Sequence, residues 1–292
     1  MKTKIIITIL AILFAGGAIT GGVLYFTKTK DEPKTDEKAD VEETPEVETF
    51  EVVVKDANYI NTMKKVSETV FQKSEESISF KDIGNTEKLK IVNSFREQYG
   101  SFDGATGKEL TNILHKYFGS DQTITFDNIK CDMKHDNANE QDLYIYDSKQ
   151  GKYVENSNHP GHGGSTDNVF SIFDNRDSSE TKVDYQYNSY SNSESDKFIF
   201  EVKIMFYDNS MAGDVGPLLI GSAYKSYKDV ENKKALEKIE DNKEYVTYDS
   251  DDIPHYNLNK VYKNNLDKLD TYVFEFVKEN GNLIFTKYYK KA

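Results

Sequence analysis

Cysteine and tryptophan are almost missing from this sequence of 292 residues, which contains one cysteine, Cys131, and no tryptophan. A single cysteine excludes an intrachain disulfide, and with it the small disulfide-stabilised folds that are common among secreted proteins. Aromatic surface comes instead from 20 tyrosines and 17 phenylalanines, which bury large areas while each tyrosine keeps a polar tip. A fold of this size must therefore be stabilised by packing and hydrogen bonds rather than by disulfide bridges.

Positive charge is also in short supply, since 37 lysines and arginines face 50 acidic residues and leave a net charge of −13. The first thirty residues hold four lysines and no acid, so the remainder of the chain carries −17. An acidic surface repels phosphate backbones, and we therefore expect no nucleic-acid partner. The charge is typical of a solvated protein surface.

The common catalytic motifs are absent as well. The sequence contains no P-loop, no dinucleotide fingerprint and no H-E-x-x-H zinc signature. Residues 162–164 are similar to an esterase oxyanion loop, but the G-x-S-x-G nucleophile elbow is missing. Residues 128–130 precede Cys131 without the T-L-x-T pattern of a sortase strand, and no matching His and Arg can be assigned. We therefore interpret Cys131 as a partly buried core residue and lean against an enzymatic function, without excluding one.

One long apolar stretch is present, and it lies near the amino terminus. Residues 5–26 contain no charged side chain, and their 22 positions match the ~20 apolar residues that a helix needs to cross a hydrocarbon core. A cleaved signal peptide is the alternative, with residues 15–18 as its cleavage region, but the apolar run exceeds a signal core. No cysteine stands just after the stretch, where a lipoprotein requires one, which excludes a lipoprotein. We predict an uncleaved transmembrane anchor at residues 5–26 that contacts the lipid bilayer.

The predicted anchor divides the chain into four parts. Residues 1–4 are predicted to form a short cytoplasmic tail, residues 27–50 a disordered acidic linker, and residues 51–292 an extracellular domain. Lysines lie on both sides of the anchor, so the positive-inside rule does not decide its direction. The short amino-terminal tail favours a single-pass protein of the cell membrane with its carboxy-terminal domain outside.

Helical patterns follow the linker. Apolar residues recur at helical spacing in residues 56–74, 85–98 and 106–118. Weaker patterns at residues 233–239 and 253–269 predict two further helices. We interpret the apolar stripes of these segments as core faces.

After Gly119 the apolar period changes from 3.6 to 2, which predicts strands. Residues 198–207 alternate most clearly and predict the central strand of a sheet. Residues 143–154 and 271–291 predict hairpins, the second around Asn280-Gly281. Helices followed by strands indicate an α+β fold with a mainly antiparallel sheet.

A loop rich in glycine and histidine is the most conspicuous candidate for a site. His159 and His162 lie three residues apart within residues 156–165, and imidazole suits zinc and other transition metals. Two histidines fall short of the four ligands of structural zinc. A surface loop that uses glycine for its backbone angles is the alternative. The residues left open as further ligands are Asp132, His135 and Asp167.

Three acidic clusters are candidates for calcium, which is held by several carboxylate and carbonyl oxygens. They lie at residues 136–142, 174–180 and 249–252, and none has the spacing of an EF-hand loop. Solvated surface loops are the alternative. His115, in the third helical pattern, is interpreted as a surface or core residue rather than as a ligand.

The layout of the chain resembles that of a group of bacterial surface proteins. Its features are an anchor, an acidic linker, Lys-Tyr-Phe-Gly at residues 116–119, a tyrosine-rich hairpin, Gly-His-Gly-Gly at residues 161–164 and a closing hairpin around Gly281. In these features the chain is similar to uncharacterised, amino-terminally anchored surface proteins of AT-rich Firmicutes-type bacteria. The resemblance implies no activity, so it assigns no functional residue.

These observations predict a non-enzymatic binding or envelope-interaction domain, with an unknown extracellular ligand or protein as its partner. The alternative is a membrane-anchored envelope hydrolase or metal-dependent enzyme that uses His159 and His162, with zinc or calcium as its cofactor. A weaker interpretation is a cation sensor, but the predicted cytoplasmic tail is too short to transmit a signal. A cleft that joined the two histidines to carboxylates would favour the enzyme.

Overall fold

A computed structural model describes most of the chain after residue 57 and two short stretches before it. The predicted anchor at residues 5–26 and residues 29–46 of the predicted linker lie outside the described residues, so the anchor stays a prediction. Both ends of the predicted linker, residues 27–28 and 47–50, form strands rather than disordered chain. Within the described ranges, no helix is long and apolar enough to cross a bilayer. The described ranges are 27–28, 47–52, 57–71, 76–96, 101–130, 142–157, 169–174, 176, 182–188, 196–211 and 217–292.

The described residues form five α-helices and fifteen strands, and every strand pair is antiparallel. This arrangement confirms the predicted α+β fold with a mainly antiparallel sheet. The helices are α1 Ala57–Val70, α2 Asn85–Asn93, α3 Gly107–Phe118, α4 Tyr227–Glu231 and α5 Leu258–Asn265. The strands are β1 Thr27–Lys28, β2 Val47–Val52, β3 Ser77–Ser79, β4 Ile129–Lys130, β5 Asp142–Asp147, β6 Lys152–Glu155, β7 Val169–Asp174, β8 Lys182–Asn188, β9 Lys197–Met211, β10 Leu218–Tyr224, β11 Glu237–Lys238, β12 Val246–Tyr248, β13 Pro254–Tyr256, β14 Thr271–Glu279 and β15 Asn282–Lys290.

Strand β9 is the centre of the main sheet. Its first half pairs with β8 and β14, and its second half pairs with β7 and β10. The sheet continues from β8 through β2 to β1, from β14 through β15 to β3, and from β10 to β11. The alternation along residues 198–207 buries Phe200, Val202 and Phe206 on one face. The prediction of a central strand in this segment is confirmed.

Helices α1, α2 and α3 cover one face of the sheet and form the larger core with it. Met63, Val66 and Val70 of α1 are completely buried, as are Leu110 and Leu114 of α3. These residues belong to the apolar stripes that the sequence predicted as core faces. The structure therefore confirms the role of those stripes.

Phe71 joins the end of α1 to the sheet. Its ring centroid lies 5.0 Å from that of Tyr272, 5.1 Å from that of Tyr288 and 5.4 Å from that of Phe206. All three contacts are edge-to-face, a geometry that contributes ~0.5–1.5 kcal/mol beyond the buried area. The aromatic content of the chain is thus used in the core.

A second core lies on the opposite face of the sheet, behind the second half of β9. Met205 and Ile220 pack there with Val246 of β12 and Val261 of α5. Met205 and Phe206 are neighbours in sequence but belong to different cores. Strand β9 therefore supplies alternate residues to two cores, one on each face of the sheet.

The carboxy-terminal hairpin confirms the turn predicted at Asn280-Gly281. Both residues have a positive φ, 50° and 81°, as the common two-residue hairpin turn requires. The ladder of β14 and β15 begins beside this turn and shifts by one residue at a bulge between Glu275 and Phe276. The bulge decides which side chains face each other farther along the hairpin.

The prediction of a helix at residues 233–239 is wrong. Glu237–Lys238 form β11 and pair with β10, because the sheet satisfies their backbone groups more fully than an isolated short helix would. The helix of this region is α4, which begins earlier at a cap where Ser226 Oγ accepts the N–H of Asp229 over 3.0 Å. Tertiary pairing here overrides local helix propensity.

Two other predicted helices are shorter in the structure. Residues 253–269 divide into β13, α5 and a 3₁₀ turn at Leu266–Lys268. Helix α2 ends at Asn93 rather than at residue 98. Just beyond its end, Ser94 Oγ donates a hydrogen bond to the Ile91 carbonyl oxygen over 2.6 Å, and such local bonds compete with a continuing helix.

Gly107 supports a prediction about packing, because α3 begins beneath two aromatic rings. A β-carbon at this position would lie 2.6 Å from Tyr146 Oη and 2.9 Å from the Phe126 ring. Glycine to alanine in an open helical position stabilises by roughly 0.5–1 kcal/mol. We expect Gly107→Ala instead to destabilise the protein by about 1–3 kcal/mol, because the overlap forces both rings to move.

Urea unfolding of the purified chain measures this difference. The matched control is Asn112→Ala, an exposed position on the same helix, which should change the free energy of unfolding by less than about 0.5 kcal/mol. A Gly107→Ala protein as stable as the wild type would contradict the close packing of the rings.

Candidate functional site

Strands β4, β5 and β6 form a small sheet that carries an aromatic cluster. The rings of Tyr146 and Phe126 stack at 4.8 Å, and Tyr153 packs edge-on against Tyr146 at 5.1 Å and Phe102 at 5.2 Å. Tyr153 is completely buried, and its hydroxyl donates to the Asp127 carbonyl oxygen over 2.8 Å. Burial raises the pKa of Tyr153, so its phenol stays protonated. The cluster joins the small sheet to the larger core.

Amide and carboxylate groups close one end of the small sheet. Asn128 Nδ2 donates to Asp142 Oδ2 over 2.7 Å. Asn156 Nδ2 donates to the Asp142 carbonyl oxygen over 2.7 Å, and the Asn156 N–H donates to the Leu143 carbonyl oxygen over 2.9 Å. Asp142 is also the strand partner of Lys130. These contacts bring the end of β4, the start of β5 and the end of β6 together.

The segments that carry the predicted metal ligands are attached at this end of the small sheet. Residues 131–141 connect Lys130 to Asp142, and residues 158–168 follow shortly after Asn156. Within the described ranges, no group of three or more His, Cys, Asp and Glu side chains is placed to hold a metal ion. The metal prediction stays a prediction, because the residues it names lie outside the described ranges: His159, His162, Asp132, His135 and Asp167, together with Cys131.

The second acidic cluster begins with a buried ion pair. Asp174 Oδ2 lies 2.5 Å from Arg176 Nη2, and both side chains are almost completely buried. Arg176 Nη1 donates to Ser67 Oγ over 3.1 Å, which joins the end of β7 to α1. Ser67 Oγ donates in turn to the Met63 carbonyl oxygen over 2.6 Å. Arg176 therefore neutralises the charge of Asp174, and its hydrogen bond to Ser67 holds α1 against the sheet.

The third acidic cluster, residues 249–252, forms the turn between β12 and β13. Asp249 Oδ1 accepts the backbone N–H groups of Asp251 and Ile253, each over 2.9 Å, and Asp249 Oδ2 lies 3.2 Å from His255 Nε2. The hydrogen bonds from the backbone of Ile253 and of Asp251 lower the pKa of Asp249. Both carboxylate oxygens are thus engaged by the hairpin itself.

A buried carboxylate on the main sheet is not among the candidate residues that the sequence indicated. Glu275 of β14 is 5% exposed and lies 3.0 Å from Lys197 Nζ on β9 and 3.4 Å from Lys287 Nζ on β15. Burial and the nearby carboxylate of Glu275 raise the pKa of Tyr289. One signal was available, since Glu275 is the single charged residue within residues 271–277. The arrangement balances charge across three strands.

Comparison with known proteins assigns no role to these groups. No protein-family model, no curated protein and no solved structure matches the chain. The function must therefore be argued from the chemistry of the residues themselves.

The Glu275 network predicts a measurable stability difference. We expect Glu275→Gln to lower the free energy of unfolding by about 1–3 kcal/mol. The neutral amide removes the buried negative charge that balances the two neighbouring ammonium groups, those of Lys197 and Lys287. The matched control is Glu201→Gln on β9, whose more exposed carboxylate pairs with Lys291 and should contribute less than about 1 kcal/mol. Urea unfolding of both variants measures the two losses, and equal losses would contradict a special role for Glu275.

The Asp249 turn predicts a pH dependence of known sign. The pKa of Asp249 lies below its ordinary value of 3.8, so the carboxylate contributes stability that is present above pH 3.8 and is lost as the pH falls through the lowered pKa. We expect the wild type to be more stable than Asp249→Asn at pH 7, and the difference to shrink at a pH below 3.8. Thermal unfolding at a series of pH values tests this, and a constant difference would argue against it.

Proposed function

We propose that the chain is a single-pass membrane protein whose α+β domain binds a ligand or a protein outside the cell. The observation that carries the proposal is the uncharged stretch at residues 5–26, which is long enough to cross a hydrocarbon core. Acidic residues follow it, and segments of like charge extend and separate an anchor from a folded domain. Two strands of the main sheet, β1 Thr27–Lys28 and the first part of β2 from Val47, lie at the two ends of the predicted linker, so the linker proper is the stretch between them.

Binding is favoured over catalysis by the way in which the described carboxylates are used. Asp174 and Glu275 are neutralised by buried or half-buried cations, and Asp249 is hydrogen-bonded within its own turn. These groups stabilise the fold, whereas a catalytic acid or base must be able to exchange a proton with a substrate. The acidic surface supports a partner that is not a nucleic acid.

The anchor is tested by placing charge at its centre. Each arginine at the middle of a transmembrane helix costs ~2.5–3.5 kcal/mol of insertion free energy, so Leu13→Arg with Phe14→Arg should move the chain from the membrane fraction to the soluble fraction. Thr35→Arg with Asp36→Arg in the predicted linker is the matched control and should leave the chain in the membrane fraction.

The orientation is tested by treating intact cells with a protease. Removal of the domain from the cell surface is the expected result, and its protection would overturn the extracellular assignment. The intact mass of the wild-type chain separates the anchor from a signal peptide, because loss of the first residues up to about position 18 would mean cleavage.

A second candidate function is a membrane-anchored hydrolase or other metal-dependent enzyme that uses His159 and His162. The contacts of Asp142 with Asn128 and Asn156 favour it. They bring the two residues that flank the segment with Asp132 and His135 together with Asn156, which precedes His159 and His162 in the chain. Zinc is the metal whose ligand preferences fit such a set.

Zinc content separates this candidate from the first. A zinc enzyme would retain about one zinc per chain after purification, lose it in His159→Ala with His162→Ala, and keep it in His115→Ala with His255→Ala. His115 and His255 are exposed in the described part of the chain and serve as the matched control. A wild-type chain without zinc would end the enzymatic alternative.

A further inference from the structure

Strand β7 is the longest terminal strand of the described sheets. It has six residues and, among the residues that the structure describes, pairs only with β9. The other terminal strands have two to four residues. The longest of these, β6, has a covered edge, because Tyr153 accepts the N–H of Gly104 over 3.0 Å and donates to the Ala105 carbonyl oxygen over 2.9 Å. An edge as long as that of β7 offers a row of backbone groups to another strand.

Strands β7 and β8 follow each other along the same edge of β9. Strands β8 and β14 pair with the same stretch of β9, so they occupy its opposite edges. Ile204 of β9 pairs with Asp174 of β7, and its N–H donates over 3.4 Å to the carbonyl oxygen of Asp270, just before β14. Strand β7 therefore also lies opposite β14. Because the outer edge of β8 is paired with β2 only as far as Val52↔Val183, a strand added to β7 would continue the row that β2 begins.

The backbone groups that β7 directs outward follow from the ladder of β9. The N–H of Ile204 points toward β14, and bonding direction alternates along a strand, so the odd-numbered residues of β9 bond toward β7. Their partners are the odd-numbered residues of β7, which leaves the even-numbered ones for the outer edge. The residues that direct their N–H and C=O groups away from β9 are Phe170, Ile172 and Asp174.

The outer edge of β7 lacks the features that usually prevent strand addition, which are charge, proline and a bulge. The strand contains no proline, and no register shift interrupts its pairing with β9. Its single charged side chain, that of Asp174, is 4% exposed and pairs with Arg176, so this charge does not project from the edge. The edge is therefore open to a further strand across its whole length.

Apolar groups lie on both faces of β7. On one face, the ring centroid of Phe173 lies 5.4 Å from that of Tyr262 in α5. On the other face, Ile172 packs against the larger core, and Arg176 beyond the end of the strand donates to Ser67 of α1. An added strand would have these side chains as its cross-strand neighbours. They favour β-branched or aromatic residues at alternate positions of the partner.

The chemistry of this edge matches an extended polypeptide. A row of N–H and C=O groups is satisfied by the backbone of another strand, whereas a lipid has no such row to offer. A second copy of the chain would bring another net charge of −13, and the repulsion disfavours it.

We propose that β7 binds an extended segment of a partner polypeptide, rich in uncharged β-forming residues, by adding it to the main sheet as a strand. The backbone groups of Phe170, Ile172 and Asp174 supply the hydrogen bonds, and the side chains of Ile172 and Phe173 supply apolar contacts. The inference rests on the proposed binding function and identifies the surface and the class of partner for it.

A synthetic peptide tests the backbone pairing. The probe is as long as β7, alternates valine with threonine and carries a lysine at each end. In one further version the valine nitrogens are methylated, and in another the threonine nitrogens, so that each version lacks the N–H donors of one peptide edge. Fluorescence anisotropy measures binding to the full chain in micelles of an uncharged detergent. We expect one methylated version to bind and the other to lose affinity by about tenfold or more, because an added strand uses one edge.

Substitutions then test the strand. Ile172→Pro removes an outward N–H without removing a bond to β9, and should weaken binding of the unmodified peptide by about tenfold or more. Ile172→Ala is the matched control, because it removes the same side chain but keeps the N–H, and should bind at least about fivefold more tightly than the proline variant. Phe170→Pro and Phe170→Ala repeat the comparison at a second outward position. Thermal unfolding verifies that each variant is folded, and amide exchange at Ile172 of the wild type should slow when the peptide is added.

Three results would overturn the inference. They are absent or equal binding of all three peptides, binding that the folded proline variants retain in full, and a concentration-dependent dimer of the wild type that these variants lack. In the second case the peptide binds elsewhere, so the proposed binding function survives while β7 is excluded. Failure of the membrane-fraction or protease experiment would instead remove the anchored function and leave the peptide data standing.

Discussion

Strand β9 hydrogen-bonds to four neighbouring strands, and both cores of the protein depend on that pairing. It is longer than each of these partners, so two strands are accommodated along each of its edges. Its successive side chains point to opposite faces, which gives Phe206 to one core and Met205 to the other. A slip of one residue would exchange the two sets, and the hydrophobic pattern therefore specifies the register strongly. Helices α1 to α3 pack on the face of β9 that carries Phe206, and the elements around α5 pack on the face that carries Met205.

The features that could be predicted from the sequence are those that nearby residues determine. Asn280-Gly281 specifies its turn because both residues must adopt a positive φ, which few other pairs accept readily. Thr106 and Glu109 mark the start of α3, where the Thr106 side chain accepts the N–H of Glu109. The alternation along residues 198–207 indicates a strand with one buried face, and that single pattern was enough to place it at the centre of the sheet.

The features that could not be predicted are contacts between residues far apart in the sequence. A bulge shifts the register of β14 and β15 so that Glu275 faces Lys287, and no local pattern indicates where a bulge will form. Arg176 reaches Ser67 across more than a hundred residues of chain, which only the tertiary fold reveals. The histidine loop was selected by composition, and because residues 158–168 lie outside the described ranges, its role as a metal ligand stays a prediction.

The positions of β1 and β2 have a mechanical consequence if residues 5–26 anchor the chain as proposed. A pull from that anchor reaches the sheet first at β1, a two-residue edge strand that pairs with β2 at Thr27↔Glu51 and Lys28↔Phe50. Once these pairs open, the load falls on β2, which pairs with β8 from Val47↔Asn188 to Val52↔Val183. A load along the strand is shared by all of these pairs, whereas a load across it opens them one at a time. The direction of the pull relative to β2 therefore determines whether β2 stays paired with β8 or separates from it and adds its length to the linker.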